Sequence, residues 1–407
     1  MKQSDALLLI NAYRMGSVPT AIPEASVIRP DFFRAQEQMI CALESGIPQL
    51  LMIEGQYGAG KTHALRDLQT SLSHSGFVVS TITLEPGVNL LRPDVLYYHI
   101  MHHLRIQGKP ASFDDIFGLW LDNLRNAPTK QVAANEIKWV TDEMARHHEV
   151  FAYGFTQYIR ASLLSDAQQA DCISSWLKGD QSIAPSMQKK LGLKGSVDRL
   201  KAFDFLKAFT KLLQLIGYNG LVIAIDEMDM LTKLRSDQRE KAYGTLRQII
   251  DEQFQGAFGA LGIVLSATPD VYKDAEYGIP SYSPLAQRLG LEGQGSFMKE
   301  PFISLKNTSL ETLYQLSAHL VKTYFIAYGS LVMPSSKDLA HLILMDFKKL
   351  NLRFHEITWR QYIQNYLSLL DMARKNPHQK ILSLPLQLQI KDDGTMFFKN
   401  HLNVIKE

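Results

Sequence analysis

The chain has 407 residues, 46% hydrophobic, 21% charged and 10% aromatic. That length accommodates two or three domains of roughly 100–200 residues and buries a full core without disulfide or metal staples, so disorder, collagen-like repeats and coiled coil do not describe the whole. A formal net charge of +2 provides no whole-molecule field toward nucleic acid or membrane, and two cysteines, Cys41 and Cys172, cannot build a disulfide framework.

Free thiols suit a reducing compartment. The start, MKQSDALLLINAYRMG, lacks the apolar region of a signal peptide. No apolar run approaches the roughly 18 residues that read as a membrane span. The expectation is a cytoplasmic protein with no membrane partner.

Residues 4–15 read as a short helix, and a stretch punctuated by Pro19, Pro23 and Pro30 follows. Asp31 opens a second helix, about 31–45, that Gly46 ends. QLLMIEG (49–55) is a continuous apolar run, the pattern of a buried strand. A helix runs from Gly60 to about Ser75, and the β-branched FVVSTITLE (77–85) is the next strand. From Pro93 to about Gly217 only helical patterns occur, such as FDDIFGLWLDNL and DRLKAFDFLKAFTKLLQLI, and no strand is expected there. LVIAID (221–226) resumes the sheet, a charged helix covers about 235–253, and GIVLSAT ends a further strand at Thr268. Three helices (309–327, 336–350, 357–375) and an alternating hairpin, LQLQI and TMFF about Asp393-Gly394, complete the chain.

Residues 55–62 read GQYGAGKT, a full G-x-x-x-x-G-K-[ST] between a strand and a helix. Gly55, Gly58 and Gly60 let the backbone of Gln56, Tyr57 and Ala59 curl so that N–H groups face phosphate oxygens. The helix N-terminus, with His63 in its first turn, adds its dipole. Lys61 is expected to reach the β- and γ-phosphates of ATP and Thr62 to ligate Mg²⁺.

LVIAIDEMD (221–229) ends an apolar strand in Asp226-Glu227. An acid at such a tip holds Mg²⁺ opposite the loop's hydroxyl, and an adjacent Glu can take a proton from attacking water. Asp226 is therefore the metal candidate and Glu227 the catalytic base. A hydroxyl at the end of the third strand would stand beside the γ-phosphate; Thr268 is the candidate, ahead of Ser266.

Asp226-Glu227-Met228-Asp229 with Ser266-Ala267-Thr268 resembles the DExD and SAT motifs of superfamily-2 helicases. The chain beyond Thr268 shows no second alternating strand–helix domain and no Q-x-x-G-R-x-G-R. The closer resemblance is to AAA+ ATPases, and within them to the BREX-type ATP-binding proteins of bacterial anti-phage defence loci. ALLLINAYRMGSVP, IEGQYGAGKTHAL, LLQLIGYNGLVIAIDEMD and ITWRQYIQNYLSLLDMARKNP carry that resemblance, with WLKGD (176–180) a fainter match.

That family is similar to the origin-recognition ATPases, which implies an α/β P-loop NTPase with a parallel sheet, a large helical insertion and a C-terminal helical lid plus β-hairpin. The corresponding domains are 1–92 (N-terminal helices and first part of the core), 93–205 (insertion), 206–304 (remainder of the core), 305–376 (lid) and 377–407 (hairpin). The resemblance also implies roles for two arginines. Arg360, in ITWRQ, stands where a lid arginine contacts the γ-phosphate, with Arg353 as the alternative; Trp359 replaces the family's usual Pro. Arg288, in SPLAQRLG, stands where a finger reaches a neighbouring subunit.

Other signals are weaker. His99 and His103 share i,i+4 spacing without an accompanying Glu, and with His102, His147 and His148 they read as ordinary helix histidines. Trp120, Phe151, Tyr153, Phe155 and Tyr158 read as core aromatics. The last 107 residues carry 13 Lys/Arg against 8 Asp/Glu, so Lys348, Lys349, Arg374, Lys375 and Lys380 are candidate phosphate-backbone contacts.

The functional expectation is a Mg·ATP-hydrolysing ATPase that couples nucleotide state to assembly with itself, duplex DNA or other defence-system proteins. The competing expectations are a nucleotide-dependent switch or scaffold with negligible turnover and a DNA-binding adaptor.

Overall fold

The computed structural model describes residues 1–17, 30–88, 90–180, 182–291, 302–305, 310–329, 335–349, 358–376, 386–390 and 396–400. The first part of the chain forms α1 (Gln3–Arg14), α2 (Pro30–Glu44), β1 (Gln49–Glu54), α3 (Lys61–His74) and β2 (Phe77–Thr83). Next come α4 (Pro93–His102), β3 (Leu104–Ile106), β4 (Lys109–Pro110), α5 (Phe113–Arg125), α6 (Lys130–His147), α7 (Glu149–Leu163), α8 (Ala167–Leu177), α9 (Pro185–Lys190) and α10 (Ala202–Leu215). The sheet then returns with β5 (Gly220–Asp226), α11 (Asp229–Thr232), α12 (Ser236–Phe254), β6 (Leu261–Ala267), α13 (Pro269–Lys273), α14 (Ser283–Leu289) and β7 (Phe302–Ser304). Last are α15 (Leu310–Tyr328), α16 (Ser336–Lys349), α17 (Trp359–Lys375), β8 (Leu386–Ile390) and β9 (Met396–Asn400).

The chain divides into two compact units. One comprises residues 34–53 and 65–303; the other comprises 1–33, 54–64 and 304–407.

The larger unit is built on a seven-stranded sheet in the order β4-β3-β2-β5-β6-β1-β7. β2, β5 and β6 pair in parallel, with Val79 opposite Val222 and Ile223 opposite Ile263. Every residue of β5 and β6 is buried, as expected of parallel strands covered on both faces, which is why their sequences are apolar without alternation. Gln253 of α12 fixes where two of these strands begin: its buried Nε2 donates to the carbonyls of Gln49 (2.8 Å) and Leu261 (2.7 Å), the first residues of β1 and β6. These neighbouring strands therefore start at one end of the sheet and run the same way.

A difference from the sequence reading lies at the other edge. β3 pairs antiparallel with β2 and then with β4, so the segment 93–205 contributes two short strands to the sheet. They are three and two residues long, too short for periodicity to register. The only local signal is the two-residue turn Gln107-Gly108, with φ of +48° and +73°.

The helices of that segment share one apolar core with the sheet. Phe113, Phe117, Phe151, Phe155, Tyr158 and Phe205 are buried together, with Phe113 and Phe117 rings 4.7 Å apart. Each such ring removed from water contributes about 1.5–3 kcal/mol. Trp120 is buried with them, whereas Tyr153, expected in the core, is 45% exposed; α7 turns that position outward.

The smaller unit packs α1 against α15 and α17. Ala6 and Ile10 of α1 are buried with Leu313, Leu320, Tyr366 and Leu370, although the linear reading groups α1 with the first half of the core. Arg14 closes this contact through a bidentate pair with Asp371 (3.1 and 2.7 Å) and a hydrogen bond to the Tyr328 hydroxyl at 2.9 Å. The Tyr324 hydroxyl donates to the same carboxylate at 2.6 Å. β8 and β9 form the expected antiparallel hairpin, with Ile390 opposite Met396. Its turn at Asp393-Gly394 lies outside the described residues.

Candidate functional site

The phosphate loop leaves β1 at Glu54 and enters α3 at Lys61. A turn from the Ala59 N–H to the Gln56 carbonyl (3.0 Å) bends the loop, and Gly58 and Gly60 take φ of +78° and +91°. Such angles strain residues with a Cβ. Lys61 is 5% exposed, its Nζ donating to the Gly55 carbonyl at 2.9 Å and lying 5.0 Å from the Tyr57 ring centroid. Gln56 and Tyr57 are exposed, Ala59 is buried, and Thr62 and His63 are half-buried in the first turn of α3.

This loop belongs to the smaller unit, where it meets the start of α17. The Arg360 N–H donates to the Gly58 carbonyl at 3.2 Å. Thr358 caps α17 reciprocally with Gln361, which holds the helix start in place: each side chain bonds the other's backbone N–H. The Arg360 position is thus a neighbour of the phosphate loop. Arg353 lies outside the described residues.

In the larger unit, Asp226 closes β5 and is 3% exposed. Its Oδ1 accepts the Glu227 N–H at 2.9 Å. Glu227 has φ of +56°, a left-handed conformation that costs a non-glycine residue about 1–2 kcal/mol. The chain then turns back, so that the Met228 N–H reaches the Ser266 carbonyl of β6 at 3.2 Å. Strained backbone conformations of this kind cluster at active sites, ligand clamps and switch regions.

Thr268, 4% exposed, follows β6 and directly precedes α13. Its N–H donates to Asp229 Oδ1 at 3.0 Å, and its hydroxyl donates to the same oxygen. Ser266 is fully buried inside β6. Arg288, near the end of α14, bonds through Nε to Asp251 of α12 at 2.8 Å within its own chain. Of the basic residues near the C-terminus, Arg374 stacks 4.1 Å from the Tyr328 ring centroid. Lys375 is exposed, the side chains of Lys348 and Lys349 are not described, and Lys380 lies outside the described residues.

Residues 1–385 match the family described as "BREX system ATP-binding protein BrxC/D". The chain belongs to this family. A comparison with curated proteins found no match. Among solved structures, the chain is similar to the Aeropyrum pernix ORC2 protein in its ADPNP–ADP complexes, at 14% identity and a TM-score of 0.43. That match covers 87% of this chain and 64% of the other, so this BREX-family chain spans less than two thirds of that structure's length. Family membership and the complete phosphate loop make this an ATP-binding protein, and its sheet places β6 between β1 and β5. No helix among the described residues is long and apolar enough to cross a membrane.

Three residues given no role by the sequence reading stand beside the candidate positions: Gly16, Thr358 and Asp229. Asp229 carried a signal, the third carboxylate three residues after Asp226. Thr358 carried one too, a Thr three residues before a Gln, the spacing of a capping box. Gly16 carried none, because its role depends on Arg360, far away in sequence.

Proposed function

We propose that this BREX-family protein binds Mg·ATP on the 55–62 loop, hydrolyses it, and couples the nucleotide state to assembly with itself, duplex DNA or other defence-system proteins. The observation that carries the reading is Lys61, 5% exposed, whose Nζ lies inside its own glycine loop and donates to the Gly55 carbonyl at 2.9 Å. In a loop of this sequence the lysine is the group that pairs with a nucleotide's β- and γ-phosphates.

The residues fit the cofactor. The loop presents backbone at Gly58 and Gly60 with no Cβ over it, and Asp226 offers a carboxylate at a strand tip. Thr62 and Asp226 would hold Mg²⁺, which when bound neutralises charge developing on the phosphates. Glu227 would take the proton of the attacking water, the Thr268 hydroxyl would orient that water, and Arg360 would bind the γ-phosphate. Within the sheet β6 and β5 are neighbours, and Thr268 and Asp226 stand at their C-terminal ends. A finger role for Arg288 requires a second copy of the chain.

Steady-state phosphate release and equilibrium ATP binding test the reading. Lys61→Ala is expected to abolish binding, and Glu227→Gln to keep binding while stalling release. Full turnover by Glu227→Gln would remove the base assignment, and negligible release by the wild type with and without DNA would favour a nucleotide switch.

A further inference from the structure

Arg360 runs between two glycines of the smaller unit. A Cβ placed on Gly58 would stand 2.9 Å from Arg360 Cβ and 3.2 Å from Thr358 Oγ1. A Cβ placed on Gly16 would stand 2.9 Å from both Arg360 Cδ and Nε and 3.2 Å from its Cγ. A Cβ essentially never comes within 3.0 Å of such a neighbour, so a side chain at either position requires Arg360 to leave this course. The first glycine belongs to the phosphate loop; the second ends α1, with φ of +67°. The start of the arginine side chain is therefore shaped by the loop and its outer half by the N-terminal helix.

The end of α1 is held in place to do this. Arg14 grips Asp371 of α17 with two hydrogen bonds, and its own carbonyl accepts Gln364 Nε2 at 3.0 Å. Gly16 N–H then closes back on Tyr13 O at 3.1 Å. Two turns of α17 are thus tied to Arg14, two residues before Gly16, and the same helix carries Arg360 in its first turn.

We infer that Gly16 is a positioning residue for Arg360: the backbone end of α1 fixes the course of the arginine side chain and so sets ATP-over-ADP discrimination. The inference rests on the reading of Arg360 as the group that binds the γ-phosphate. A guanidinium reaches its target as a rigid fork, so a displaced Cδ and Nε misdirect every donor it carries. The N-terminal helix becomes part of the sensing apparatus, and undocking it releases the arginine.

The experiment measures equilibrium affinities for ADP and for the non-hydrolysable β,γ-imido analogue of ATP, with Mg²⁺, in the full chain. The variants are Arg360→Ala, Gly16→Ala, Gly16→Asn and the double variant Gly16→Ala/Arg360→Ala. Asn tolerates the left-handed backbone that strains Ala, yet carries the same Cβ. It separates backbone strain from the side-chain collision and serves where the Ala variant does not fold.

The expected result is that Arg360→Ala and both Gly16 variants lower the analogue-to-ADP affinity ratio about 10-fold or more, the scale of one charge-assisted bond, with ADP affinity little changed. The double variant is expected to match Arg360→Ala alone. An unchanged ratio in Arg360→Ala overturns the reading of Arg360, and the inference with it. A lowered ratio in Arg360→Ala beside a wild-type ratio in both Gly16 variants overturns the inference alone. So does a lowered ratio in Gly16→Ala that Gly16→Asn restores, since strain and not collision is then the cause.

Discussion

One oxygen of Asp229, Oδ1, receives both the backbone N–H and the side-chain hydroxyl of Thr268, joining the turn after β5 to the end of β6. A hydroxyl has one proton. With that proton committed to Asp229, the remaining capacity of the Thr268 oxygen is to accept. In the proposed site it accepts from the attacking water and does not donate to the γ-phosphate.

Thr268→Val separates these roles. It is expected to slow phosphate release about 10-fold or more while leaving ATP affinity within about twofold, the signature of a contact made in the transition state. Thr268→Ser is expected to keep most turnover. Parallel loss of ATP affinity at unchanged maximal rate would show a ground-state phosphate donor. Asp229→Ala leaves the buried Thr268 N–H unpaired and is expected to lower stability by about 1–3 kcal/mol, read by denaturant unfolding.

Arg288 and Asp251 form an exposed pair at 2.8 Å, with side chains 42% and 27% accessible. Pairs of this kind contribute about 0.2–1 kcal/mol, so a neighbouring subunit can recruit the arginine at little cost. Asp251→Asn is expected to leave the melting temperature nearly unchanged, and Arg288→Ala to depress turnover. Mixing Arg288→Ala with Lys61→Ala subunits is expected to restore part of the activity if the finger acts in trans. Absence of rescue at every mixing ratio would assign Arg288 to the surface pair alone.

His148 caps α7 by accepting the Phe151 N–H on Nδ1 at 3.0 Å, with its ring 4.8 Å from that of Phe205. Burial pushes the imidazole below its ordinary value; Asp204 opposes the shift and Lys201 adds to it. The folded state therefore favours the neutral ring, which the cap also requires. Its contribution is present in full above the unfolded value of about 6.5 and is lost as pH falls through the lower folded value. Thermal unfolding between pH 7.5 and 5.5 is expected to show a fall in stability that His148→Asn, a non-titrating cap, reduces. An unreduced fall would place the acid sensitivity elsewhere.

Most of the helices and the buried strands β1, β2, β5 and β6 were legible because their patterns are local. Continuous apolar runs mark strands covered on both faces, and GQYGAGKT announces its curled backbone through glycines at set intervals. The β3–β4 edge was not legible, since three and two residues carry no period. Nor was the partner of α1: its apolar face is plain in ALLLINAYR, but an amphipathic stripe does not name the helix it covers, and here that surface begins about 300 residues later.

The same boundary runs through the candidate site. The residue sequence by itself determined the phosphate loop, the acidic end of β5 and the family, because each rests on residue types at short fixed spacings whose chemistry needs no distant partner. Only the tertiary structure decided which proton the Thr268 hydroxyl gives away, that Arg288 is held by Asp251, and that Gly16 and Gly58 flank Arg360. Those relationships join segments dozens to hundreds of residues apart, and packing, which has no sequence period, is what brings them together.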